Sequence, residues 1–162
     1  AVVALPVDET GLDVRPIFTS EVFCVSADAA AMTAPVTIEQ VCQRPFILYE
    51  ASSHGQDPTR LQIEARAQAI GSHIQPVLEV ESAETALDLA ARGIADTYVA
   101  QVLVPTLDPR LHRASFDPPL TDTFALITRA GSRLPRPVAD LLDHVTAHLV
   151  ALAKSTAPHA RE

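Results

Sequence analysis

Positive charge is scarce in this chain. Twelve Lys and Arg stand against twenty Asp and Glu, a net charge of −8, and Lys154 is the only lysine. A surface that neutralises phosphates needs clustered cations, so this balance argues against nucleic-acid contact by the chain itself. Long apolar runs are missing too: none approaches the ~18 residues of a membrane span. Cysteine is limited to Cys24 and Cys42. Two cysteines make no disulfide framework, and a reducing compartment, the cytoplasm, is the expectation. Five glycines occur and none repeats at G-x-G-x-x-G spacing, which removes a phosphate-cradling loop. Trp is absent and aromatics amount to 4%, a bias that says little about chemistry. An initiator Met is lacking as well. Residue 1 opens directly into Ala1-Val2-Val3-Ala4-Leu5, and the expectation is a chain that begins inside a domain.

What is present is a globular composition. Apolar residues are 48% of 162, enough to build a real core. Ala1–Leu5 is continuously apolar and predicts a parallel strand buried on both faces. Turn chemistry at Pro6–Gly11 ends it. Leu12–Ala27 is rich in Val, Ile, Phe and Thr and predicts two strands with a kink near Thr19-Ser20-Glu21. Asp28–Ala34 reads as a loop. Thr37-Ile38-Glu39-Gln40 fits a capping box, so a short helix runs Thr37–Gln43, and Arg44-Pro45 stops it.

Phe46–Glu50 predicts a buried strand and Ala51–Gln56 a polar loop. Asp57-Pro58 is a helix start, with Asp as cap and Pro in the first turn; Gly71 fits its C-terminal cap. Ile74–Val80 is a strand, and Ser82 caps a helix whose Ala83, Ala86, Leu87, Ala90 and Ala91 share a face. Gly93 ends that helix. Thr97–Val104, His112–Phe116 and Phe124–Arg129 are strands, the last two separated by Asp117-Pro118-Pro119. A helix carries the stripe Val138, Leu141, Leu142, Val145, Leu149 and Leu152. From Phe46 to Val104 strands alternate with helices, which predicts a parallel α/β unit with right-handed crossovers.

The order Pro45–Glu50, Arg60–Gly71, Ile74–Glu81 and Ser82–Gly93 resembles the effector-binding domain of LysR-type transcriptional regulators. Phe18-Thr19-Ser20-Glu21-Val22-Phe23-Cys24-Val25 is similar to that domain's passage from first to second lobe. The resemblance covers nearly all of the chain. It implies an α/β fold of two lobes, like a type 2 periplasmic binding protein. Residues 1–27 would be part of the first lobe and its crossover, 28–122 the complete second lobe, and 123–162 the return to the first. The family's DNA-binding domain, linker helix and opening first-lobe elements have no counterpart in these residues. Ala95–Ala100 also departs from the family, where a Gly-rich segment ending in Pro is common. Tyr98 there is expected to narrow the cleft.

In a two-lobed α/β receptor, ligands bind at the carboxyl ends of the strands, near helix N-termini. Three loops qualify: Glu50, Ala51, Ser52, Ser53 and His54 after one strand; Val80, Glu81 and Ser82 after the next; Tyr98, Val99 and Ala100 in the third. Pro6, Val7 and Asp8 would face them from the first lobe. The serines equally suit turn and cap chemistry, and Glu50 and Glu81 equally suit solvated loops. Two acids at the cleft would repel a carboxylate effector unless arginine compensates.

No catalytic residues, metal ligands or cofactor are assigned. Ser53, His54 and Asp57 share one segment, whereas hydrolase triads draw on separate segments and a strained elbow. His144 and His148 have chelating spacing but lack the Glu of H-E-x-x-H. Cys24 and Cys42 read as packing residues. The leading expectation is a small-molecule effector sensor, self-associating as dimer or tetramer within a full-length regulator. Helix Asp57–Ile70 and strand Ile74–Val80 would form its subunit contact, weakened if first-lobe elements are absent. The alternative is a solute-binding protein of the same fold; a small α/β enzyme is a third reading.

Overall fold

The structure, a computed structural model, describes residues 1–50, 57–132 and 134–155. β1 (Val2–Ala4) and the long β2 (Leu12–Ser26) come first. A 3-10 turn (Ala29–Met32) and β3 (Val36–Thr37) lead to α1 (Ile38–Gln43), β4 (Ile47–Tyr49) and α2 (Pro58–Ala69). Then follow β5 (Leu78–Val80), α3 (Ala83–Ala91) and β6 (Thr97–Ala100). A second 3-10 turn (Gln101–Thr106), β7 (His112–Arg129) and α4 (Arg136–Ser155) complete the order.

Local chemistry sets the helix ends. Thr37 accepts from the Gln40 N–H at 3.4 Å while Gln40 accepts from the Thr37 N–H at 2.8 Å, a reciprocal capping box. Asp57 accepts from the Arg60 N–H at 2.9 Å with Pro58 in the first turn. α2 stops where Gly71, at φ 70°, lets the chain turn back so that the Ser72 N–H reaches the Ala67 carbonyl at 2.9 Å.

β4 and β5 pair in parallel. Phe46 bridges Asp96 in parallel, and the Ile47 N–H donates to the Asp96 carbonyl at 2.8 Å. The parallel order β5–β4–β6 is the β–α–β–α–β unit that the alternation predicts. β6 joins β2 antiparallel, β2 joins β7, and β7 joins β1. The main buried cluster runs from Val22 to Leu120, with Phe46, Ile47, Leu48, Ile63, Tyr98 and Phe116 at its centre. It joins the parallel unit to β3 and to the adjoining parts of β2 and β7.

β2 and β7 bind the molecule together. Fifteen residues of β2 span ~50 Å at ~3.3 Å each. Their first half pairs with β7 alone, and the second half lies between β7 and β6. The register jumps from Val22↔Leu120 to Phe23↔Ser115, so Phe116–Pro119 have no partner on β2. That excess is held from outside: β3 pairs with Phe116 and Asp117, and the Arg66 guanidinium donates to the carbonyls of Pro118 and Pro119.

Several expected elements change. Ala1–Leu5 is not a doubly buried parallel strand: β1 pairs antiparallel with Phe124–Leu126, and Val2 is 38% exposed. Leu12–Ser26 is one strand, its irregularities at Pro16/Phe18 and Val22/Phe23 rather than at Thr19–Glu21. His112–Arg129 is also one strand, because the Pro pair is accommodated as a bulge. The strand at 74–80 shortens to Leu78–Val80, and the one at 97–104 ends at Ala100. Asp28 caps a 3-10 turn where a loop was expected. Among the described residues no helix is long and apolar enough to cross a membrane.

Candidate functional site

A cleft of about 710 Å³ opens where the β1–turn segment faces the starts of α2 and α3. Val2, Val3, Ala4, Pro6, Val7 and Asp8 form one wall; Tyr49, Asp57, Pro58, Thr59, Ala83, Ala100 and Leu103 form the other. Asp122 and Phe124 of β7 lie between them. The volume falls within the range of small-molecule sites.

The first wall hangs from β1 on β7. Asp8 accepts from the Thr10 N–H at 2.9 Å, an Asx turn that fixes the segment before Gly11. Hydrogen bonds from Thr10, side chain first, hold the Asp8 carboxyl below its ordinary range. The second wall rests on stacked aromatics. Tyr49 and Tyr98 lie 4.2 Å apart at 20°, and the Tyr98 hydroxyl donates to the Tyr49 carbonyl at 3.1 Å. Burial, with Asp57 and Asp122 adding to it, pushes the Tyr49 phenol up.

Asp122 is the deepest polar group, 2% exposed. It accepts from the Thr59 hydroxyl at 2.6 Å and the Gln62 amide at 3.0 Å. Burial raises its pKa; the Thr59 bond opposes this and the Asp57 charge adds to it. Arg60, one turn into α2, is engaged elsewhere, on Glu64 and Glu79 at 2.9 Å each. Among the described residues, the cleft lining includes three carboxylates and no Lys, Arg or His.

Pro6, Val7, Asp8 and Ala100 stand on the cleft wall. Val80 and Glu50 lie at the paired ends of β5 and β4, where the Glu50 N–H donates to the Val80 carbonyl at 3.0 Å, outside the lining. Glu81 is exposed. Ser82 accepts from the Thr85 N–H at 3.2 Å, so it caps α3 and leaves Ala83 to face the cleft. Tyr98 and Val99 are 0% exposed: Tyr98 supports Tyr49 from beneath and does not itself narrow the cleft. Ala51, Ser52, Ser53 and His54 lie outside the described residues. Sequence reasoning missed Tyr49, Asp57, Thr59, Asp122 and Phe124. Asp57 and Thr59 were within reach, since the same rule that selects strand ends selects the adjoining helix start. Asp122 carried no local signal.

Among the described residues no group of His, Cys, Asp and Glu could hold a metal ion. Cys24 is buried, and burial pushes its thiol up to about 12, which makes it inert rather than redox-active.

A parallel α/β unit, joined by two long strands to a second sheet segment across a cleft, defines a two-lobed receptor of the periplasmic-binding-protein kind. The chain belongs to the LysR substrate-binding domain family, whose model matches residues 1–150. No curated protein matches the sequence. The fold is similar to the CcmR regulatory domain of Synechocystis PCC6803 in complex with 2-PG, at 22% identity and TM-score 0.75, covering 94% of this chain and 72% of that one. It is similar to the effector-binding domain of QuiR in complex with shikimate, at 12% identity and TM-score 0.73, covering 91% and 69%. Full-length CbnR complexed with its target DNA matches at 14% identity and TM-score 0.70, covering 96% of this chain and 51% of CbnR. The chain thus spans about half the length of that full-length regulator.

Proposed function

We propose that this chain senses a small-molecule effector in the cleft between its lobes and passes that state to a transcription regulator. Residues 1–27 and 123–162 supply one lobe and its crossover, and 28–122 the other. The site is a binding site and not a catalytic one. Pro6, Val7, Asp8 and Ala100 take part, joined by Thr59, Asp122 and Phe124. One observation carries this reading: the cleft is walled by elements from both sides of the β2–β7 crossover, and Asp122 on the crossover strand is bonded to α2 at its edge. An effector that contacts both walls binds one lobe arrangement better than another, which is what shifts a population. DNA contact would belong to another part of the regulator, in keeping with the net charge of −8. Cytoplasmic location and self-association of the regulator follow from the same reading.

A thermal-shift screen of acids, amines, sugars and amino acids tests it. A ligand bound only by the folded state stabilises by about 2.7 kcal/mol at 100 times Kd. Val7→Trp, at a half-buried position on the cleft wall, should obstruct the cleft and reduce the shift while changing the ligand-free Tm little. A ligand whose full shift survives Val7→Trp would place the effector elsewhere.

A further inference from the structure

We infer that α2 is a splint across the joint between the two lobes, and that Gln62 and Arg66, which stand outside the described cleft lining, set how far the cleft opens. The inference rests on the two-lobed reading of the cleft. β2 has β6 on its other side only from Val22 to Val25; from Leu12 to Glu21 its pairing is with β7 alone. At the boundary, Phe116–Pro119 of β7 have no partner on β2. Among the described residues, backbone pairing therefore carries the lobe angle through one interrupted pair of strands.

Thr59, Gln62 and Arg66 fall at i, i+3 and i+7, on one face of α2. Arg66 donates from its two terminal nitrogens to the carbonyls of Pro118 and Pro119, inside the unpartnered stretch. Proline has no N–H, so these carbonyls are the only backbone polar groups that the two residues offer. Gln62 and Thr59 donate to Asp122 at 3.0 and 2.6 Å, where pairing with β2 has resumed. Seven residues of helix rise ~10 Å, and Pro119 to Asp122 is ~10 Å of strand, so the helix matches the stretch that it holds. Arg66 is half-buried, which takes its guanidinium partly out of water and strengthens both bonds. α2 is itself rooted in the parallel unit, since Ile63 and Ala67 on its neighbouring face are fully buried in the core. Tilting one lobe against the other must break the bonds to Asp122 or pull a packed helix out of place.

The test uses the 162-residue chain with Cys42→Ser, Cys24 being buried and unreactive. Spin labels are carried on Glu9→Cys and Glu39→Cys, exposed positions on the two sides of the joint. Pulsed electron paramagnetic resonance reads the distances between them without ligand. Gln62→Met and Arg66→Met keep the aliphatic stems and remove the donors. Each should raise the share of molecules outside the main distance peak by about tenfold, the factor that one bond involving a charged group provides. Arg66→Lys, whose ammonium can serve one carbonyl, should fall between parent and Arg66→Met. Ile63→Ala weakens the same helix without touching these bonds, and its distance peak should match the parent's. Distances unchanged in both methionine variants would overturn the inference. So would an Ile63→Ala peak as broad as theirs, which would mean general loosening. No ligand enters the measurement, so either failure leaves the cleft standing as the effector site; a ligand whose full shift survives Val7→Trp removes that reading separately.

Discussion

Replacing Thr59 by Val isolates the bond that ties α2 to the crossover strand. The two side chains have nearly the same shape, and Thr59 is 7% exposed, so little cavity is created. What is lost is a 2.6 Å hydroxyl donation to a buried carboxylate. Bonds to charged groups contribute about 1.5–3 kcal/mol, so a loss of about 2 kcal/mol is expected at pH 7.5. In a chain of this size that lowers Tm by about 4–8 °C. The pH dependence gives the sharper check. Asp122 faces Thr59 and Gln62 as neutral donors and Asp57 as a like charge. Its folded pKa is raised, so between the unfolded value, near 3.8, and the folded one the native state holds a proton that the unfolded chain has lost. Stability from this group is therefore greatest below that window and declines as pH rises through it. Removing the Thr59 bond, which opposes the rise, pushes the folded pKa higher still. The variant must lose more at pH 7.5 than at pH 4. Urea unfolding followed by far-UV circular dichroism measures both, since the chain has no Trp. Thr59→Ser, which keeps the hydroxyl, should recover most of the pH-dependent part. Equal losses at both pH values, or a Tm change under about 1 °C at pH 7.5, would refute the reasoning.

The other predictions concern the core and the thiols. Tyr98→Phe removes a buried donor to the Tyr49 carbonyl and should cost about 1–2 kcal/mol, seen as a lower urea midpoint with unchanged slope. Ile63→Ala at a fully buried position should cost about 2–5 kcal/mol by the same measurement. A thiol-disulfide reagent at pH 8 should titrate Cys42 in the native protein but reach Cys24 only on unfolding: with its thiol near 12, the thiolate fraction is about one in ten thousand. Gly93→Ala, placed at φ 74°, should lower Tm by a few degrees, from about 1 kcal/mol of left-handed strain.

Helix ends were the most legible part of this sequence, because they are decided within four residues. Thr37 with Gln40, Asp57 with Pro58, Ser82, Gly71 and Gly93 each do in the structure what their local chemistry predicts. Strand extent was less legible, because pairing is decided far away. Pro118 and Pro119 looked like a break, yet β3 and Arg66 hold the chain through them from outside the pair. Ala1–Leu5 looked doubly buried because an apolar run does not state how many neighbours it will have. The site divided along the same line. Pro6, Val7, Asp8 and Ala100 follow from the rule about strand ends. Asp122 becomes a cleft residue only when a strand from near the C-terminus passes beside α2, some sixty positions earlier in sequence.

The bulge between Val22 and Phe23 makes the crossover a fulcrum. The register skips four residues of β7 there, a larger interruption than the shift at Pro16/Phe18, so bending concentrates at it. Leu120 is the last paired residue of β7 before the interruption, and Asp122 stands two residues away, at the short end of the arm. The far end of the arm, Leu12 paired with Arg129, is ten residues from Val22, or ~33 Å of strand. A rotation of about 5° at the fulcrum moves that end by ~3 Å, over a strand of the same rise. A ligand that reshapes the surroundings of one buried carboxylate by a fraction of an ångström is therefore placed where displacement is smallest and mechanical gain is largest.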